Sequence, residues 1–157
     1  MLTITNHLEG EQVISRQLAG LEERLSDMTP AWPSVLKVFR GIMRAAFATE
    51  GGSTGAPWPH LAERTVKDRE RQGFPGRHPI LARTHTLERA LTTEGGASVI
   101  VQMPRYFAVA VDLDYFKFHQ SKRPRTKIPR RAPINLTQDN KTQLLHPIRL
   151  YVTGRMQ

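Results

Sequence analysis

The change in the spacing of apolar residues along the chain is the feature that most restricts its fold. In residues 1–50 the apolar side chains recur at steps of three and four, which is the period of one helix face. In residues 97–112 they form two β-rich runs separated by Pro104 and Arg105. Helices followed by strands indicate an α+β class. At 157 residues, we expect one domain, residues 1–157, in which an antiparallel sheet packs against helices.

Two amphipathic helices are predicted within residues 1–50. The first ends near Asp27, because Pro30 disfavours helical backbone in the residue before it. The second begins near Pro33, which suits a first helical turn, and ends at residues 50–52. The stripe of the first helix consists of Ile14, Leu18, Leu21, Leu25 and Met28.

A loop rich in glycine and proline is predicted after these helices. Residues 51–59 contain three glycines and two prolines around Trp58, so we expect an exposed loop that Trp58 anchors to the core. Residues 61–72 are helix-permissive and highly charged, and Gly73 is expected to end this third helix.

A short helix and a last helix flank the predicted pair of strands. The short helix covers residues 84–91, with Thr84 or Thr86 as its cap. The last helix covers residues 138–152 and includes Pro147, which we expect to break or kink it.

Positive charge is concentrated in the C-terminal part of the chain. Of the net charge of +9, most comes from residues 96–157, which hold 11 basic against 3 acidic residues. Residues 121–133 are basic and proline-rich, so they are expected to form a loop or an extended arm. Such an arm suits phosphates or an acidic protein surface. Its candidate contact residues are Lys122, Arg123, Arg125, Lys127, Arg130 and Arg131.

The residue patterns of common catalytic sites are missing. The chain has no cysteine, and its six histidines include no pair at the spacing of a helical metal site. Glycine-rich phosphate loops and the GxSxG turn are also absent from the sequence. A nuclease built on Asp112, Asp114 and a histidine stays an alternative, ranked last. We therefore expect a protein that is not an enzyme and has no catalytic residue, metal site or cofactor.

No apolar run approaches the roughly 20 residues of a membrane helix. The first residues have neither a basic start nor an apolar core, so no signal peptide is expected. We expect a protein that is soluble and cytoplasmic when it is synthesised and that does not contact membranes.

A series of short motifs follows a fixed order from residue 47 to residue 136. Along the chain its residues are Phe47, Gly55, Trp58, Leu61, Thr65, Arg69, Ile80, Leu81, Thr84, Leu87, Tyr115, His119, Gln120, Ile128, Pro129 and Arg130. This order, with the predicted hairpin in its middle, resembles the phage virion morphogenesis family, the tail completion proteins of Mu-like and P2-like phages.

The resemblance implies a structural protein, not an enzyme, that completes a phage tail and joins it to the head. Proteins in this position commonly form rings, often hexameric, through head-to-tail contacts that close. The implied partners are other copies of the chain and the neck and tail-tube proteins. The positive charge of residues 96–157 adds a contact with packaged DNA in the lumen as a hypothesis. The implied location is the head–tail junction of the virion, and the host cytoplasm during assembly. The alternative from the residues alone is a small DNA-binding protein that uses residues 122–131 without sequence preference.

The residues that carry the resemblance are expected to have structural roles. Trp58 anchors the glycine-rich loop, and Thr84 caps a helix. His119 and Gln120 form hydrogen bonds at the base of the basic arm. Arg130 is placed for a carboxylate or a neighbouring subunit rather than for catalysis.

Overall fold

The fold is described from a computed structural model and covers residues 10–123 and 128–156. Within these ranges the chain has six α-helices and a two-stranded antiparallel sheet, so the α+β class is confirmed. The helices are α1 (Glu11–Ser26), α2 (Trp32–Ala48), α3 (Glu63–Arg71), α4 (Thr86–Thr92), α5 (Phe116–Gln120) and α6 (Gln138–Val152). The strands are β1 (Ser98–Met103) and β2 (Tyr106–Val111). Among the described residues, no helix combines the length and apolar character needed to cross a bilayer.

Helix α2 is the centre of the core. It has proline in its first turn, as predicted, and it packs against α4 and α6. Its apolar face is covered by the loop that carries Trp58 and by residues 80–91. The buried cluster consists of Leu36, Phe39, Ile42, Met43, Phe47, Trp58, Ile80, Ala82, Leu87 and Leu91.

The predicted hairpin is confirmed, and one of its two faces packs on this core. Ile100 pairs with Val109 in the register, and both side chains contact the buried cluster. On the opposite face, Val99, Met103 and Tyr106 are 50–56% exposed. The sheet therefore packs against the helices on one side only.

Helix α1 ends near Asp27, as predicted, and its C-terminal end is attached to the rest of the domain. Arg24 Nε donates a hydrogen bond of 2.8 Å to the carbonyl of Val152 in α6. The Tyr151 hydroxyl donates to the carbonyl of Asp27, also at 2.8 Å. Every residue from Gln12 to Ala19 is exposed, so the N-terminal half of α1 projects from the domain.

The expectation that Pro147 breaks the last helix is wrong. Helix α6 continues through Pro147, which is buried. At its N-terminus the Asn140 N–H donates to Thr137 Oγ1 and the Thr137 N–H donates to Asn140 Oδ1, each at 3.2 Å. This reciprocal cap and the packing on α2 offset the loss of about 3 kcal/mol that an interior proline causes.

The expectation that Thr84 or Thr86 caps α4 is also wrong. His85 occupies the cap position in a left-handed conformation with φ of 55°, and no side chain caps the helix. The hydroxyls of Thr84 and Thr86 instead lie 3.0 Å apart and bond to each other. The sequence does not show that the helix starts at Thr86, because its start depends on the left-handed conformation of His85.

Candidate binding pocket and uncovered surfaces

The described part of the basic arm presents three of its six predicted contact residues to solvent. Lys122, Arg123 and Arg130 are exposed. Arg130 Nε donates to the carbonyl of Gln120 at 3.3 Å, which holds its side chain against the end of α5. The predicted contact residues Arg125 and Lys127 lie outside the described residues.

Arg131 is turned into the domain, which corrects the expectation that it faces a partner. Its side chain is 5% exposed, with Nε donating to the carbonyl of Pro59 at 2.6 Å and Nη2 to that of His60 at 2.7 Å. Burial lowers the pKa of Arg131, yet a guanidinium stays charged at neutral pH. Arg131 therefore joins the arm to the Trp58 loop and places a positive charge beneath the surface.

Trp58 and Gln120 bind the two ends of the segment 132–134, which follows the basic residues of the arm. Trp58 is buried with its ring edge on Phe47, and its Nε1 donates to the carbonyl of Ala132 at 3.2 Å. Gln120 Nε2 donates to the carbonyl of Ile134 at 2.7 Å, and the Ile134 N–H donates back to Gln120 Oε1 at 3.2 Å. The expected roles of Trp58 as loop anchor and of Gln120 at the base of the arm are confirmed.

His119 differs from its neighbour Gln120. Its Nδ1 is buried and has no hydrogen-bond partner among the described residues, contrary to the expected bond to the arm. Burial lowers the pKa of His119, and the charge of Arg131 lowers it further. The imidazole is therefore neutral at neutral pH, with a buried polar atom left unsatisfied.

Most residues that carry the resemblance meet in one pocket of about 580 Å³. The pocket lies between α3, the start of α5 and the basic arm, with residues 60–62 and 81–84 completing its wall. Its lining includes Leu61, Thr65, Arg69, Leu81, Thr84, Tyr115, His119, Ile128, Pro129 and Arg131. Residues from distant parts of the sequence, such as Leu61 and Arg131, are thereby brought into one concave site.

Arg69 is the second buried cation of this pocket. It is 4% exposed, and its Nη1 and Nη2 donate to the carbonyls of Gly76 and Pro79 at 3.1 and 3.0 Å. Burial lowers its pKa, as does the charge of Arg83, while the charge of Glu50 raises it. Neither Arg69 nor Arg131 forms an ion pair with any described carboxylate.

Two apolar surfaces are left uncovered outside the pocket. We call the first the α1 stripe; its exposed members Ile14, Leu18 and Leu25 are 45–59% exposed. The second is the outer face of the hairpin, with Val99, Met103 and Tyr106. These two surfaces are the candidates for contact with another molecule.

Asp112 and Asp114, the carboxylates of the nuclease alternative, are exposed at the end of β2. Within the described part of the chain, no three histidine or acidic side chains are grouped so that they could hold a metal ion.

Comparison of the chain with protein-family models, curated proteins and solved structures finds no match in any of the three.

Proposed function

We propose that this protein is a non-enzymatic structural subunit of a tailed bacteriophage, which completes the tail and joins it to the head as one member of a closed ring. Helix α1 carries the proposal, because its apolar stripe is exposed and, among the described residues, its hydrogen bonds to the rest of the domain lie at its C-terminal end. The order of motifs that resembles the tail completion proteins indicates the kind of assembly.

An exposed helix of this length needs a partner. A 16-residue helix is only marginally stable in water without packing on an apolar face. Each apolar side chain of the stripe that becomes fully buried contributes about 1.5–3 kcal/mol. The exposed members of the stripe are 45–59% exposed, so covering each of them gains roughly half of this amount, which favours contact between subunits.

The outer face of the hairpin is the surface we propose for the α1 stripe of the next copy. The two surfaces differ, so their contact is head-to-tail, and repeating it generates a ring when the rotation closes. Val99, Met103 and Tyr106 supply apolar area there that the chain itself leaves uncovered.

Native mass spectrometry with negative-stain electron microscopy tests the ring. The wild-type chain is expected to form one closed oligomer. The resemblance to the tail completion proteins implies that this oligomer is a hexamer. The double variant Ile14→Ser with Leu18→Ser should be monomeric while keeping its helical circular dichroism. Leu145→Ser is the matched control, since Leu145 is also an exposed leucine but lies on α6, and this variant should retain the ring. A wild-type monomer at every concentration, or a double variant with an unchanged oligomer, would contradict the proposal.

The role in tail completion needs a test in a particle. In the phage that carries the gene, its deletion should leave heads and tails unjoined in electron micrographs. Supplying the wild-type chain should restore joined particles, and supplying the double variant should not. Joined particles in the deletion would exclude this role even if the ring itself were found.

A second candidate function is DNA binding without sequence preference. Lys122, Arg123 and Arg130 favour it, because they are exposed and form no ion pair within the described part of the chain. Fluorescence anisotropy with a labelled duplex should show an affinity that falls steeply with salt. The triple alanine variant of these residues should lower the salt slope, whereas Lys141→Ala on α6 should leave it almost unchanged. A wild-type chain without measurable duplex binding at low salt would remove this candidate.

A further inference from the structure

We propose that the pocket between α3, α5 and the basic arm binds a carboxylate carried on an apolar group, such as an acidic or C-terminal carboxylate of a peptide segment, with Arg69 and Arg131 at its charged end. This inference does not depend on the proposed ring, because it concerns a concave site away from the α1 stripe.

The charges of the pocket are unbalanced. Among the described residues, Arg69, Arg83 and Arg131 line it together with one carboxylate, that of Asp68. Asp68 accepts hydrogen bonds of 2.9 Å from Arg71 Nη2 and Gln72 Nε2, and it forms no ion pair with Arg69 or Arg131. A buried positive charge without an acidic partner is costly in a folded protein. An incoming anion would supply the missing partner.

Both buried guanidinium groups are held in place and keep a nitrogen free. Backbone carbonyls fix two nitrogens of each group, through Gly76 and Pro79 for Arg69 and through Pro59 and His60 for Arg131. Nε of Arg69 and Nη1 of Arg131 have no hydrogen bond to any described residue. Donors that are already fixed lose little entropy on binding, which favours recognition of an oxyanion.

His119 adds a third polar group on the wall of the pocket. Its Nδ1 is buried and unsatisfied, which costs about 1–3 kcal/mol as long as no partner is present. A carboxylate bound in the pocket would bring a negative charge close to the imidazole and would favour its protonated form. Binding should therefore raise the pKa of His119, which burial and Arg131 lower in the free protein.

The remaining lining favours a carboxylate on an apolar group over a phosphate. Leu61, Leu81, Ile128 and Pro129 line the pocket beside the arginines. A volume of about 580 Å³ exceeds what a single ion needs and approaches that of sites for small organic ligands. Apolar walls next to cations match a ligand that is apolar at one end and anionic at the other.

Phenylacetate, phenylacetamide and inorganic phosphate are the probes for a first experiment with the full chain. Binding is measured by NMR shift changes and by calorimetry. Phenylacetate should bind in the millimolar range or tighter and shift the signals of the pocket residues. Phenylacetamide, which has the same apolar group without the charge, should bind at least tenfold more weakly, or about 1.4 kcal/mol less favourably. Equal binding of these two probes would overturn the charged end of the site, and equal or tighter binding of phosphate would overturn the apolar part. No binding of phenylacetate would overturn the whole proposal.

Two variants locate the site without disturbing the core. Thr65→Phe fills the pocket from an exposed position on α3 and should abolish phenylacetate binding. Thr142→Phe places the same side chain at an exposed position on α6 outside the pocket and should bind as the wild type does. Undiminished binding by Thr65→Phe would overturn the assignment to this pocket.

Variants of the arginines could fail to fold, so the titration of His119 provides an independent readout in the wild-type chain. The pKa of His119 should rise when phenylacetate saturates the protein. An unchanged pKa would place the ligand away from His119 and would overturn the proposed position.

Discussion

Helices α1 and α2 have the same kind of apolar period in the sequence and lie in opposite environments. The core face of α2 is at most 8% exposed, whereas the exposed members of the α1 stripe are 45–59% exposed. Residues 80–91, the Trp58 loop and the hairpin cover α2, but only the last turns of α1 contact α6. An amphipathic pattern thus predicts that one face of a helix will be buried. It does not predict whether that face packs against the same chain or against another molecule.

The largest loss of stability is expected when a buried leucine that packs on α2 is replaced by alanine. Leu87 is 1% exposed and packs in the cluster around α2. Leu87→Ala should lower the free energy of unfolding by about 2–5 kcal/mol, because it leaves a cavity in a packed core. Urea unfolding followed by circular dichroism measures this change. A loss below about 1 kcal/mol would mean that the core relaxes around the cavity and is less well packed than described.

Trp58→Phe gives the next largest effect and tests the loop that covers α2. The variant keeps an aromatic ring beside Phe47 but removes the Nε1 donor, so the carbonyl of Ala132 loses its partner. The free energy of unfolding should fall by about 1–3 kcal/mol, the range for a buried group left without its hydrogen bond. Trp32→Phe is the control for loss of an indole donor, since Trp32 donates to Met103 rather than to the arm. Equal stability of Trp58→Phe and the wild type would show that the arm is held without this bond.

A smaller, pH-dependent effect is expected from Glu50, which holds the start of the segment that covers α2. Burial raises the pKa of Glu50, but the hydrogen bonds from His78 and the Ile80 N–H, together with the charges of His78 and His60, outweigh this effect, so the pKa is lowered from 4.5. A lowered pKa in the folded state stabilises the fold above the unfolded value and loses that contribution as pH falls through the folded value. Wild type should therefore lose stability as the pH is lowered below about 4.5.

Glu50→Gln isolates this contribution from the other carboxylates. The glutamine side chain cannot titrate, so the variant should be less stable than the wild type at pH 6 and should lose less stability between pH 6 and pH 3. Parallel curves for the two proteins, from thermal unfolding at each pH, would show that Glu50 is not the group responsible.

Local patterns predict the ends of α1 and α2 and the hairpin, while the pocket depends on contacts between residues far apart in the sequence. The ends of α1 and α2 follow from Pro30, Pro33 and the glycines after residue 50, which act on their own neighbours. Arg131 was expected to face outward because it belongs to a basic run. Its bond to Pro59 joins residues 72 positions apart, and no local pattern indicates such a contact.

Thr84 illustrates the same limit at shorter range. A threonine before a helix usually caps it, but Thr84 lines the pocket because His85 takes the left-handed turn. Most residues of the motif series nevertheless lie around one pocket. The sequence predicts only a separate structural role for each of them and does not predict the pocket.

The smallest effect on stability is expected from Leu18→Ala in α1, the same chemical change as Leu87→Ala. Leu18 is 59% exposed, and alanine favours helix at least as well as leucine, so the free energy of unfolding of the monomer should change by no more than about 0.5 kcal/mol. The measurement is urea unfolding at a concentration below that of self-association. Above that concentration the same variant should weaken the oligomer, because the removed side chain belongs to the α1 stripe. A loss above about 1.5 kcal/mol in the monomer would mean that the chain itself covers Leu18 in solution, and the contrast between α1 and α2 would then disappear.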